Sequence, residues 1–509
     1  MPAPRRRVIV IGAGLGGLAT AIHLLRQDLD VTLLERQPGI GGRAARLTGE
    51  GYTFDVGPAM ITVPSVLEGL FAAAGARFGA RVSLQRLEPS LRISWTGEAR
   101  SLSFESDHAA MREAIAQFSA HDAEQYDAFW EAARELHERE RDAEREASLP
   151  SPGAGEGRRQ GRRGSAGIPR FLTAAPALVG LGRGQTADAF LGRFFDDPRV
   201  RQAFGAHSLL VGADPDRAPA TLATLPYVAL DQGVWYAPGG FGAVVDELGQ
   251  LVRRGGGVTA TARRVTRILV TGGRVRGVRT DHSEEVFADA VVSDADVTAT
   301  QVELLGGREP HVRPGVGCFL LFLGLRRGYP ELQHHNLLFG PGLAQIMEGI
   351  GGGQRASREL WLYLHAASRT DPRMARERGE SMVVVLPVPN LRTPIEWGLA
   401  SDQLRERVLD VLESPEGLGL PGLRQHLAFE ARWTPLDFRD RLGAWDGSAF
   451  GPEVASGNPT HAWVPRRDRR VRGLYHAGAG TPPGPGVVNV LLGAEKTAGL
   501  VARDLAGSI

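Results

Sequence analysis

Residues 8–17 constrain this chain more than any other stretch. Val8-Ile9-Val10-Ile11 has the composition of a strand buried on both faces, and Gly12-Ala13-Gly14-Leu15-Gly16-Gly17 follows it directly. A helical pattern then runs to about Gln27, and Val31-Thr32-Leu33-Leu34 reads as a second strand, with Glu35 standing 18 positions after Gly17. Strand, G-x-G-x-x-G turn, helix, strand and acidic residue, in that order, build a dinucleotide site. Gly12 permits the tight turn, Gly14 lets backbone approach a pyrophosphate, and Gly17 brings helix and strand close. The helix start offers unpaired amides and the positive end of its dipole to phosphate. Glu35 is placed to accept hydrogen bonds from the diol of an unphosphorylated adenosine ribose.

The following thirty residues choose between dinucleotides. Arg36 leads to Gly41-Gly42-Arg43 and then to Gly51-Tyr52-Thr53-Phe54-Asp55-Val56-Gly57-Pro58. A nicotinamide dehydrogenase has no standing need for this second glycine pair and arginine, whereas a longer, more buried cofactor does. Arg43 either neutralises the pyrophosphate or sits near a flavin, and Gly57, followed by Pro58, lets backbone approach the ring. Asp55 fits a turn cap better than a catalytic group. The continuous pattern resembles the N-terminal signature of the bacterial phytoene desaturase family, carotenoid-modifying flavoenzymes within the amine-oxidase-like group of FAD proteins. The resemblance implies FAD, with Arg36 and Gly42 in the same binding set.

Two further glycine-bearing segments complete the pattern. Gly233 to Gly242 precedes a helical stretch to about Arg253, and the alternating apolar residues around Gly272-Gly273 read as a short hairpin beside the sheet. By resemblance, the backbone of Val265 contacts adenine and Ala290-Val291-Val292 rejoins the dinucleotide fold. Gly473 to Val487 opens an apolar helix to about Leu505. In the desaturases this stretch, with Gly478 and Gly480, holds the ribitol and the pyrimidine edge, and the helix start near Val488 faces the ring. A helix N-terminus there stabilises negative charge on a reduced flavin. The expected fold is α/β: a Rossmann-type FAD-binding domain assembled from residues 1–65, 225–300 and 455–509. Residues 66–224 and 301–454 are expected to form an inserted α+β substrate domain.

The resemblance continues through that insert, in Phe194 to Phe204, His334 to Phe339, Leu386-Pro387-Val388-Pro389 and Thr434 to Phe438. Lys and Arg number 59 against 58 Asp and Glu, too balanced for a nucleic-acid partner. The single cysteine, Cys318, lies in a strand-like apolar run and reads as inert core in a reducing compartment. No metal site is expected: His334 and His335 point differently on any regular element and no third ligand accompanies them in sequence, which favours packing or hydrogen bonding. Residues 131–146 read as a solvated helix face. Ser151 to Gly167 is a basic loop by composition, and the Pro-broken apolar stretch Ile168 to Leu181 after it is too short to span a bilayer. The pair suits either a peripheral contact with anionic lipid or a loop followed by a core element. With no secretory signal pattern, the chain reads as cytoplasmic, free or at the inner face of the membrane.

The resemblance thus implies an FAD-dependent desaturase passing an allylic hydride of a carotenoid to flavin while a proton leaves the neighbouring carbon. Its cleft is expected to be a deep apolar tunnel, and no acid/base pair emerges from the sequence. Where the desaturases usually carry Thr-His-Pro-Gly-x-Gly and then Ile-Pro-Gly, this chain has Thr481-Pro482-Pro483-Gly484-Pro485-Gly486 and Val487-Val488-Asn489. That departure suits either a later step, such as 3,4-didehydrogenation of a hydroxylated carotenoid, or neutral drift. The alternatives are a phytoene or diapophytoene desaturase proper, an FAD amine oxidase, and a carotenoid isomerase or carrier with a non-redox flavin.

Overall fold

The computed structural model of the chain describes residues 5–57, 59–148, 185–340, 360–455 and 463–507. At its centre β1 (Arg7–Ile11) pairs on one side with β2 (Asp30–Leu34), which pairs in turn with β3 (Val258–Ala260). On the other side β1 pairs with β4 (Ala290–Ser293), which pairs with β5 (Leu474–His476). Every pairing is parallel, with Ile9 opposite both Thr32 and Val291. Such a sheet must be covered on both faces, which is why residues 8–11 show no polar alternation. Val8 and Val10 join a core with α1 (Leu15–Leu25), α2 (Phe241–Arg254) and α3 (Val487–Ala506). Ile9 and Ile11 face the other way, against Val265, Ile268, Val275 and Val278. Burying each of these side chains contributes about 1.5–3 kcal/mol. The expected hairpin on that second face has a third strand, so the layer reads Val265–Thr271, Arg274–Thr280 and Glu285–Phe287.

A second, seven-stranded sheet runs in the order Leu427–Trp433, Gly317–Leu325, Glu380–Val388, Trp361–His365, His335–Phe339, Arg92–Trp95 and Ser101–Ser103. Its pairings are antiparallel except that of His335–Phe339 with Arg92–Trp95. Gly317–Leu325 is buried along its whole length. Phe319, Leu321 and Leu323 pack with the helix Trp397–Glu413, and Cys318, Leu320 and Phe322 with Tyr52 and Phe54 of the hairpin Arg46–Asp55. Burial pushes the Cys318 thiol up to about 12, so it is inert core.

The chain divides into two compact units, residues 1–111, 228–453 and 459–509, and residues 112–227 and 454–458. These boundaries depart from the segments expected from sequence: 66–111 and 301–453 pack with the dinucleotide elements, because Tyr52, Phe54 and Val56 share one apolar cluster with Leu320, Phe322 and Trp433. In the second unit, Tyr126, Phe129, Ala133 and Leu136 form the buried stripe of the helix Ala120–Ser148. The Phe129 ring lies 5.2 Å from that of Phe195 and 5.0 Å from that of Phe204. Opposite the stripe, Arg134 pairs with Glu131 and Glu138, and Arg139 with Glu135, as expected of a solvated face. The Ser151–Gly167 and Ile168–Leu181 stretches lie outside the described residues. Among the described residues no helix is long and apolar enough to cross a membrane.

Candidate cofactor site and a buried histidine cluster

The C-terminal ends of β1, β4 and β5 converge on one place, where a doubly wound sheet binds its ligand. Gly12 turns the chain out of β1 at φ +94° and donates its N–H to Leu34 O at 2.8 Å. A Cβ on Gly17 would collide with the Gly12 carbonyl, so α1 can start against β1 only if residue 17 has no side chain. Gly41 N–H bonds Ala13 O at 2.8 Å and brings the second glycine pair alongside, with a Cβ on Gly42 meeting Gly14 Cα at 3.4 Å. Gly57 packs on the Arg43 carbonyl so closely that a Cβ has no room. Pro58 lies outside the described residues.

Arg43 is half-buried behind this turn. Its Nη2 donates to Ser448 O at 3.1 Å, and its Nε has no hydrogen-bond partner among the described residues. Burial pulls the guanidinium below its ordinary value, opposed by Asp296 and Asp294. The Glu35 carboxylate accepts the N–H of Ala13 and of Gln37, each at 2.8 Å, so a ribose would share oxygens already used to brace the turn. Val265, the first residue of its strand, is buried two positions beyond Arg263, whose N–H bonds Glu35 O at 2.8 Å. Gly478 follows β5 at φ +82°, Gly480 packs on Val297, and Val488 lies in the first turn of α3, which packs along α1. Arg36, next to Glu35 in the chain, has its Nη2 held by Asp440 O at 2.9 Å.

The residue that sequence reasoning missed here is Asp294. Its Oδ2 would stand 2.7 Å from a Cβ on Gly14 and its Oδ1 2.5 Å from one on Gly478. Burial pushes its carboxyl up to about 7, against the Gly17 N–H and Arg43, with Glu35 adding to the rise. Its position directly after a strand of the parallel sheet was the available signal. Side-chain-free glycines, the first amides of α1 and a half-buried arginine whose buried Nε has no partner among the described residues fit the diphosphate of a dinucleotide.

Asp55 does cap, though not a local turn. Its carboxylate accepts the N–H of Phe241 at 3.0 Å and of Gly242 at 3.1 Å, at the start of α2. The histidines show a second omission, because the register of two strands sets His365 opposite His335. His334, His335 and His365 are all buried, with candidate ligand atoms within 4.8 Å of one another. His365 Nε2 and His334 Nε2 are 3.0 Å apart, so one ring donates to the other and the pair spends on itself nitrogens an ion would need. Thr370 meets His334 Nδ1 at 2.6 Å and Tyr363 meets His335 Nδ1 at 2.8 Å. Burial lowers the pKa of all three, that of His365 to about 4, which keeps the imidazoles neutral at pH 7.

Comparison with known proteins agrees with this geometry. Residues 15–489 match the family described as flavin containing amine oxidoreductase. The chain is 34% identical over 513 residues to a lycopene-forming phytoene desaturase of Pseudescherichia vulneris, covering 98% of this chain and 100% of that protein. It is 32% identical over 506 residues to a zeta-carotene-forming phytoene desaturase of Myxococcus xanthus, covering 96% and 92%. A crystal structure of an oxidoreductase from Methanosarcina mazei shares the fold at a TM-score of 0.63 and 18% identity, covering 96% of this chain and 98% of that one. Fold, glycine cradle and family match define the class, an FAD-dependent oxidoreductase. The chain belongs to the flavin containing amine oxidoreductase family, in its phytoene desaturase group.

Proposed function

We propose that the chain is a carotenoid desaturase that introduces conjugated double bonds into a long polyene. The observation that carries this reading is similarity to phytoene desaturases across 98% of the chain, well beyond the dinucleotide motifs. Bound FAD supplies the hydride acceptor. In this reading Gly12, Gly14, Gly17, Gly42 and Arg43 hold its diphosphate, Glu35 and the Val265 backbone hold the adenosine, and Gly57 lies against the ring. Gly478 and Gly480 would border the flavin end, and the N-terminal turn of α3 at Val488 would offer it the positive end of a helix dipole. Ser151 to Leu181 touch anionic lipid at the inner face of the membrane.

The amine oxidase alternative loses ground on Cys318. The only cysteine of the chain is buried in the antiparallel sheet, so no thiol near the C-terminal glycine loop is available to attach a flavin. The finer reading is a later step of polyene desaturation, such as 3,4-didehydrogenation of a hydroxylated carotenoid. It rests on the loop from Thr481 to Asn489, where Asn489 Nδ2 donates to Pro485 O at 3.0 Å and folds its side chain back onto its own turn. The test is expression in hosts that accumulate phytoene, lycopene or a 1-hydroxylated carotene. A longer-wavelength pigment from lycopene or the hydroxylated carotene supports the later step, and one from phytoene alone supports phytoene desaturation. No gain of conjugation with any of the three sinks the desaturase reading.

A further inference from the structure

Asp294 stands at a turn built to take an anion, and it is itself an acid. Its N–H bonds Ile11 O at 2.8 Å, which fixes it beside the end of β1. Its side chain lies against Gly14, Gly16 and Gly478, and its Oδ2 would stand 3.2 Å from a Cβ on Gly17 at the start of α1. The turn that a diphosphate would approach is therefore already shared with a carboxyl group. Arg43 faces it as the cation. Glu35, after β2, adds negative charge, and so does Asp296, whose charge acts on Arg43 and whose side chain caps Val297–Ala299. The first turn of α1 brings no acidic side chain, and His476 of β5 meets Asp468 at 3.2 Å instead.

We propose that Asp294 is a proton-coupled ligand of the FAD diphosphate: it meets the cofactor as the neutral acid, so FAD binding takes up a proton and weakens above neutral pH. The proposal rests on reading the Gly12–Gly17 turn as the diphosphate site. As a carboxylate, Asp294 stands among the glycines that a phosphate would approach and repels it across a buried gap. As an acid it donates its O–H to a phosphate oxygen. Burial alone pushes the group up to about 7, and a dianion alongside shifts it further in the same direction. Above that value the FAD-free protein has lost the proton that the complex keeps, and affinity falls by up to about tenfold per pH unit.

The experiment titrates FAD into the full-length apoprotein, followed by quenching of flavin fluorescence, from about pH 6 to about pH 9. The wild-type Kd is expected to be flat below neutrality and to rise above it, whereas Asp294→Asn stays flat and binds about tenfold tighter than wild type near pH 8.5. Calorimetric titration of the wild type in two buffers of different ionisation heat reads the proton uptake directly and needs no variant. A pH-independent wild-type Kd without proton uptake overturns the proposal, and so does an Asn variant that keeps the wild-type slope. Failure to bind FAD at any pH overturns the diphosphate-site reading along with it, whereas pH-independent binding sinks the Asp294 proposal alone.

Discussion

A methyl group at residue 17 has nowhere to go: its carbon would collide with the Gly12 carbonyl. Gly17→Ala is therefore expected to push α1 off β1, at a cost of about 1–3 kcal/mol. A lowered melting temperature together with a lower flavin-to-protein ratio after purification would check this, and a variant matching wild type in both would refute it. Cys318 gives a second expectation at this scale. The thiol is buried and held in its protonated form, so it should react with Ellman's reagent only after denaturant is added, and a stoichiometric native reaction would contradict the packing. The roles of Gly12 and Gly17 could be read from spacing because a tight turn and a close helix–strand approach are local demands. Asp294 could not, since only the pairing of β1 with β4 brings it to the turn.

The helix α2 lacks its own cap. Gly240 precedes it with no side chain to offer, and Asp55, from a hairpin 186 residues earlier, supplies the acceptor for its first amides. Asp55→Ala leaves two buried N–H groups unpaired, and denaturant unfolding should show a loss of about 1–2 kcal/mol. The same carboxyl sets a pH dependence. Burial holds it at about 6 in the folded protein against an ordinary 3.8. Between these values the unfolded chain has released a proton that the folded chain retains. The proton-linked part of the Asp55 contribution to stability is thus fully present below about 4 and is lost as pH rises through about 6, while the cap bonds to Phe241 and Gly242 remain. Asp55→Asn should remove that slope, and parallel stability–pH curves for variant and wild type would contradict the assignment. A capping role for Asp55 was legible in the sequence, but its helix was not, because long-range partners leave no spacing to count.

Across the molecule, the elements around the candidate cofactor site come from stretches near residues 12, 43, 294 and 478, and in a parallel sheet none can close the site without the others. FAD that binds this assembled state stabilises it by mass action, by about 2.7 kcal/mol at a hundredfold excess over Kd. The apoprotein should therefore melt progressively later as FAD is added, and a melting temperature indifferent to FAD would argue against a site built from all four stretches. The packing of residues 301–453 with the dinucleotide elements belongs to this scale. The aromatic strand Tyr52–Asp55 is read locally as part of a cofactor motif, yet it also forms one side of the core under the seven-stranded sheet.

By itself the sequence determined the strand–turn–helix–strand start, the glycine clusters and the buried character of the strand around Cys318, because backbone sterics and hydrophobic periodicity act over a few residues. Only the tertiary structure decided that His365 joins His334 and His335, that Asp55 caps α2, that Arg36 turns to Asp440 and that Asp294 sits within the glycine cradle. Strand register and the order of strands in a sheet place those groups, and both are fixed by burial summed over the whole chain.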